Sequence, residues 1–168
     1  LMAMSAQRVE AAPQGGATFS LRTIALPLAA IVLGIFMAIL DNTVVNVALP
    51  TLEKFFKTDL HAIQWVVTGY MLAQATVIPL SGWMGDRFGA KRIFLVSITL
   101  FVLGSALCAI APSSAMLIGF RVLQGLGGGM LMPIGMSVIY RLSPPDKRGM
   151  VMAALGIPIL LAPALGPI

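Results

Sequence analysis

Apolar residues in this chain come in five long runs, separated by short clusters of charge, glycine and proline. At about 1.5 Å per residue, a hydrocarbon core about 30 Å thick needs roughly twenty residues of helix. The runs have that length and predict membrane-spanning helices over about 23–49, 62–82, 93–111, 115–139 and 149–168. The first is expected to end near Pro50, and Pro112-Ser113-Ser114 to turn the third tightly into the fourth. The fifth is unfinished at Ile168, so the five helices are expected to be part of a larger bundle. Residues 1–20 are small, polar and without an apolar period; they are expected to form a mobile tail ahead of a transmembrane bundle over 21–168. The run after Arg22 is too long for a cleaved signal peptide, and no Ala-x-Ala site follows it. The expected fold class is an all-α integral membrane protein, a polytopic helix bundle.

Composition agrees. Hydrophobic residues make up 58% of the chain and charged residues 10%, with a mean hydropathy of +0.96. A soluble domain carries about 25% charged residues. The net charge of +5 does not point to nucleic acid, because the cations sit at the ends of apolar runs rather than on one face. Arg8, Arg22, Arg87, Lys91, Arg92, Arg141, Lys147 and Arg148 fall on one side of the predicted bundle, against Lys54 and Lys57 on the other. Short cytoplasmic loops collect Lys and Arg, which puts the N-terminus in the cytoplasm. The single cysteine, Cys108, lies in an apolar run and reads as a small packing residue; His61 reads as interfacial.

The densest polar cluster is Gly82-Trp83-Met84-Gly85-Asp86-Arg87-Phe88-Gly89-Ala90-Lys91-Arg92-Ile93-Phe94. Four charges and three glycines between two apolar runs predict a short cytoplasmic turn joining the second and third spans.

Two charges lie inside spans. Asp41 follows eighteen uncharged residues and precedes Asn42, Thr43 and Asn46. A carboxylate at bilayer depth costs several kcal/mol, so it must face an aqueous cavity, a partner or a proton. The alternative is that Asp41 reaches the headgroups, but it lies about nine residues, roughly 13 Å, from Pro50. Asn42 and Asn46 share a helix face that could bind a substrate or hold two helices together. Arg121 stands in the fourth span with no acidic residue near it in sequence. It needs a buried anion, a carbonyl cluster, a water-filled cavity or an anionic substrate. Gln124, Gly125 and Gly128 continue its stripe. Gly125 and Gly129 form a Gly-x-x-x-Gly pair that lets a neighbouring helix come close. The second span offers the polar residues Gln64, Thr68, Tyr70 and Gln74; Tyr70 and Gln74, one turn apart, could face the same cavity, with helix-to-helix bonding as the alternative. In the fifth, Pro158, Pro163 and Pro167, with Gly156 and Gly166 nearby, predict a bent helix. The sequence has no phosphate-binding loop, metal cluster or nucleophile–base pair; Gly127-Gly128-Gly129 lacks both a preceding strand and a following Lys-Ser/Thr.

Four stretches now fall in a recognisable order. Leu40-Asp41-Asn42-Thr43-Val44-Val45-Asn46-Val47-Ala48-Leu49-Pro50 resembles the first-helix signature of the fourteen-span drug:proton antiporters of the major facilitator superfamily. The stretch from Gly82 to Phe94 is similar to the superfamily's second-to-third helix signature, with Met84 where Leu is common and Ala90 where a third cation is common. Arg121-x-x-Gln124-Gly125-x-Gly127-Gly128-Gly129 resembles the fourth-helix signature, and Ala162-Pro163-x-x-Gly166-Pro167 the antiporter signature of the fifth. The resemblance covers residues 23–168 and implies the N-terminal part of a proton-driven exporter of lipophilic or cationic drugs, working by alternating access. It implies that Asp41 takes up the proton or recognises the cation and that Arg121 couples the two. Asn42, Asn46, Gln64, Tyr70, Gln74 and Gln124 become candidates for the cavity lining. Asp86 would act at the cytoplasmic gate, meeting a helix N-terminus or a cation of the other half. Arg87, Lys91 and Arg92 would belong to the same gating loop, Arg87 and Arg92 adding salt bridges, while Gly82 and Gly89 let helices meet and the loop turn. Gly125, Gly128 and Gly129 would serve packing, and Pro163, Gly166 and Pro167 a hinge. No cofactor is implied, the proton gradient being the energy source. The implied partners are the bilayer, a drug-like small molecule and the remaining helices, in a multi-pass protein of the cell membrane. Two alternatives remain: an exporter of a metabolite, lipid or siderophore, and a small membrane protein that assembles with other helices and transports nothing.

Overall fold

The computed structural model describes residues 21–143 and 145–165. Its elements are α1 (Leu21–Phe56), α2 (Leu60–Phe88), α3 (Ala90–Ala109), α4 (Ser114–Leu142), a 3-10 turn at Pro145–Lys147, and α5 (Arg148–Leu165). All five α-helices are long and apolar enough to cross a membrane. The tail expected over 1–20, together with Gly166 and Pro167, lies outside the described residues.

Two helices run past their expected ends, and packing explains both. α1 continues two turns beyond Pro50. Proline gives up its amide and crowds the carbonyl four residues back, but Leu52 and Phe56 pack against Ile63, Val66 and Leu117 and hold the extra turns in place. The helix stops before Lys57, whose φ of 49° is left-handed. α2 continues past Gly82 to Phe88 because Ser81 and Gly85 are buried. A β-carbon at Gly85 would come within 3.0 Å of Ile134 Cδ1 in α4. The turn expected over 82–94 therefore contracts to Gly89, whose φ of 90° a side chain would strain. Gly82 is exposed and meets nothing within 4 Å, so it brings no helices together here. At the other end of α3, Ser113 caps α4 by accepting from Met116 N at 3.3 Å.

α4 is the centre, packed most extensively against α2 and α3, while α1 bridges α4, α2 and α5. Its glycines open two faces to close neighbours. A β-carbon at Gly125 would lie 2.5 Å from Tyr70 O, and one at Gly129 2.8 Å from Gln74 Cα, so this face meets α2. A β-carbon at Gly127 would lie 2.6 Å from Phe101 N and 2.7 Å from Ser97 O of α3. Gly104 of α3 receives the Gln124 backbone in return. Two apolar clusters stack along the bundle. One joins Ile31, Ile35, Phe94, Met130 and Ile134 across α1, α3 and α4. The other joins Ile63, Val66 and Leu117, with Val45 and Leu49 against them. Outward, Leu26, Trp65, Leu72, Leu103, Ile157 and Leu160 are exposed, a surface suited to lipid rather than water.

Gly127→Ala is expected to lower stability by about 1–3 kcal/mol, since backbone atoms of α3 must retreat. Gly119→Ala, in open space on the same helix, is expected to cause no loss. Thermal unfolding in detergent compares the two.

Candidate functional site

Between the two apolar clusters lies a polar one. Asp41 sits one to two turns after Ile35 and one turn before Val45 on α1; Arg121 one turn after Leu117 on α4; Tyr70 one turn after Val66 on α2. Helical spacing thus brings three polar side chains to one level, with low-dielectric packing on either side.

The contacts form a closed ring. Arg121 Nη1 donates to Asp41 Oδ2 at 2.6 Å and to Gln124 Oε1 at 2.8 Å, and Gln124 Nε2 donates to Asp41 Oδ1 at 2.9 Å. Arg121 Nε donates to the Val66 carbonyl at 3.4 Å. The guanidinium carbon lies 4.1 Å from the centroid of the Tyr70 ring. Cys108 Sγ reaches Gln124 Oε1 at 3.7 Å. Arg121 is 1% exposed and Gln124 fully buried, whereas the Asp41 side chain keeps 20% of its surface. The anion is thus the member of the pair that other molecules can reach. In such surroundings an ion pair is strongly held, and removing one charge leaves the other costly.

Beside the ring, α1, α2 and α4 enclose a groove of about 670 Å³. Ile35, Ile39, Met132 and Pro133 make its wall apolar, and Asn42, Thr43, Asn46 and Gln74 supply the polar groups. Asn46 Nδ2 donates to Asn42 O at 2.8 Å, so these asparagines bond along their own helix rather than to a neighbouring one. Of the six residues expected to line a cavity, Asn42, Asn46 and Gln74 do so. Gln64 is exposed away from the groove, one residue off the buried α2 stripe of Ile63, Val66 and Tyr70. Tyr70 and Gln124 are buried in the charge cluster and do not line the groove.

The other motif residues scatter. Asp86 accepts from Arg141 Nη2 at 2.9 Å, which ties the end of α2 to the end of α4 within this chain. Both side chains are largely exposed. Arg87 lies over Trp83 and Phe88, 5.8 and 6.0 Å from their ring centroids, and among the described residues neither Arg87 nor Arg92 makes the expected salt bridge. Lys91 is exposed. Pro163 is on the exposed side of α5, which runs unbroken through it, next to fully buried Ala162. Four participants were missed from sequence: the Val66 carbonyl, Gly104, Gly85 and Arg141. The first is backbone and carries no sequence signal; a buried glycine becomes visible only once its neighbour is known.

The Asp41–Arg121 pair is expected to behave cooperatively in stability. Either Asp41→Leu or Arg121→Leu alone is expected to cost about 3–5 kcal/mol. The double variant is expected to lose less than the sum, by about 1–3 kcal/mol. A double-mutant cycle by thermal unfolding measures the difference.

A model of the Major Facilitator Superfamily matches residues 31–168. "Multidrug resistance protein B homolog" of Mycobacterium tuberculosis is 51% identical over 137 residues, 82% of this chain and 25% of that protein. "Multidrug export protein EmrB" of Haemophilus influenzae is 44% identical over 155 residues, 92% of this chain and 29% of that protein. The Escherichia coli protein of the same name is 39% identical over 156 residues, 93% of this chain and 30% of that protein. The chain thus spans between a quarter and three tenths of the length of these relatives. With its apolar helices and this match, it is a membrane protein, and it belongs to the Major Facilitator Superfamily.

Proposed function

We propose that this chain supplies the proton-coupling helices of a secondary transporter that exports lipophilic or cationic drugs from the cell in exchange for protons. The observation that carries the reading is the ring of Asp41, Arg121 and Gln124, in which a partly exposed carboxylate faces a buried guanidinium. The name "Multidrug export protein EmrB" carried by two of the relatives supports it. So does a groove whose wall is mostly apolar with uncharged amides, a lining that suits a lipophilic molecule.

The chemistry follows from charge. Ionised, Asp41 holds α1 against α4 through Arg121 and Gln124. A proton on Asp41 removes the Coulomb attraction and one accepting oxygen, so α1 can part from α4. A drug cation approaching from the groove side competes with that proton for the same negative charge. Alternate occupation by proton and drug, each from one side of the membrane, exchanges one for the other. The exposed Asp86–Arg141 pair contributes little standing stability, as a contact that breaks in each cycle requires. The cation bias of the loops orients the N-terminus to the cytoplasm of a cell membrane. The remaining helices of the same transporter complete the cavity, and the proton gradient supplies the energy without a cofactor.

In the complete transporter reconstituted in vesicles, Asp41→Asn and Arg121→Ala are each expected to reduce ethidium-driven proton release to background while the protein remains folded in the membrane. Full proton release by either variant would sink the reading.

A further inference from the structure

We propose that Tyr70 is the positioning residue of the coupling pair, its ring serving as a fixed shelf for the Arg121 guanidinium. This rests on the reading that Arg121 couples proton and drug through Asp41.

Four contacts locate the guanidinium, and they come from three helices. α1 contributes Asp41 and α4 contributes Gln124; α2 contributes both the Val66 carbonyl and the face of Tyr70. Protonating Asp41 weakens the first contact. Those from α2 do not depend on that proton, so the arginine stays in place when the carboxyl lets go and is there to receive it again. A ring centroid 4.1 Å from the guanidinium carbon is well inside the roughly 6 Å range of a cation–π contact, which is strengthened where water is excluded. Tyr70 has no solvent exposure.

The ring, rather than the hydroxyl, does this. Among the described residues, Tyr70 Oη has no hydrogen-bond partner although it is buried. The end of the ring fits because position 128 is glycine: a β-carbon there would lie 2.8 Å from Tyr70 Oη. Gly125 meets the other end of the same residue, its missing β-carbon leaving room for Tyr70 O. Two glycines of the fourth-helix motif therefore seat one tyrosine, and that tyrosine seats the motif's arginine.

The test uses the complete transporter in proteoliposomes, with ethidium as the probe and drug-driven proton flux as the readout. Tyr70→Phe is the reference, and phenylalanines with one, two and three ring fluorines take its place by nonsense suppression. Fluorination withdraws charge from the ring face with little change in shape. Coupled flux is expected to fall stepwise, by about tenfold over the series, at constant ethidium affinity. A packing role for the ring would leave the series flat, and a flat series overturns the proposal. Arg121→Ala is run alongside. Loss of coupling there with a flat fluorine series removes the role of Tyr70 alone, whereas retained coupling in Arg121→Ala removes the underlying reading as well. A second arm uses the glycine. Gly128→Ala is expected to lower coupled flux by pushing the ring end, and adding Tyr70→Phe to it to restore flux by removing the clashing oxygen. No restoration in the double variant contradicts the seating of Tyr70 by Gly128.

Discussion

A guanidinium 1% exposed among apolar helices is the constraint on which the rest of the bundle turns. An ion taken from water in this way needs its charge and most of its donors met nearby; Nε and Nη1 are met, while among the described residues Nη2 has no hydrogen-bond partner. No single helix can do that. α1 brings the carboxylate, α4 an amide from its own next turn, and α2 a carbonyl and an aromatic face. α1 and α2 must both come close to α4, and glycines of α4 allow it. Gly125 and Gly129 admit α2, and Gly127 with Gly104 admits α3, whose approach presses directly on the backbone of Gln124. The small residues and the charge cluster are thus one arrangement: the first sets helix distances, the second uses them.

The bundle is not held equally on all sides. α2 and α3 pack on α4 far more extensively than α1 does. The anion therefore sits on the helix least tied to the centre of the three, and the cation on the helix most tied. A change in the charge of Asp41 acts where the least packing must be disrupted. The groove lies on this same seam, between α1 and the α2–α4 pair, and is lined by Asn42 and Asn46 from the stretch of α1 that follows Asp41. Occupancy of the groove and charge on Asp41 consequently bear on one contact surface.

Much of this was legible beforehand, for identifiable reasons. Five apolar runs of sufficient length leave little choice of element, and Asp41 and Arg121 stand out because charge is expensive at that depth. Their pairing was not legible, since eighty residues separate them and nothing in sequence says which helices are neighbours. Helix ends depart from the local sequence signal where tertiary packing outweighs it. Pro50 did not stop α1, because Leu52 and Phe56 had a cluster to join. Gly82 did not stop α2, because Ser81 and Gly85 were already committed to burial. Polar residues on α2 looked alike in sequence, yet Gln64 faces outward, Gln74 lines the groove and Tyr70 is sealed under Arg121. A rotation of about 100° per residue decides among these fates.

The central claim is that Asp41 changes its charge when drug binds. Infrared difference spectroscopy of the complete transporter, with ethidium minus without, reads a carboxyl directly. Coupling through Asp41 predicts loss of a protonated carboxyl C=O band when ethidium binds, and absence of that feature in Asp41→Asn. A carboxyl feature that persists unchanged in Asp41→Asn, or no carboxyl change at all, would contradict it.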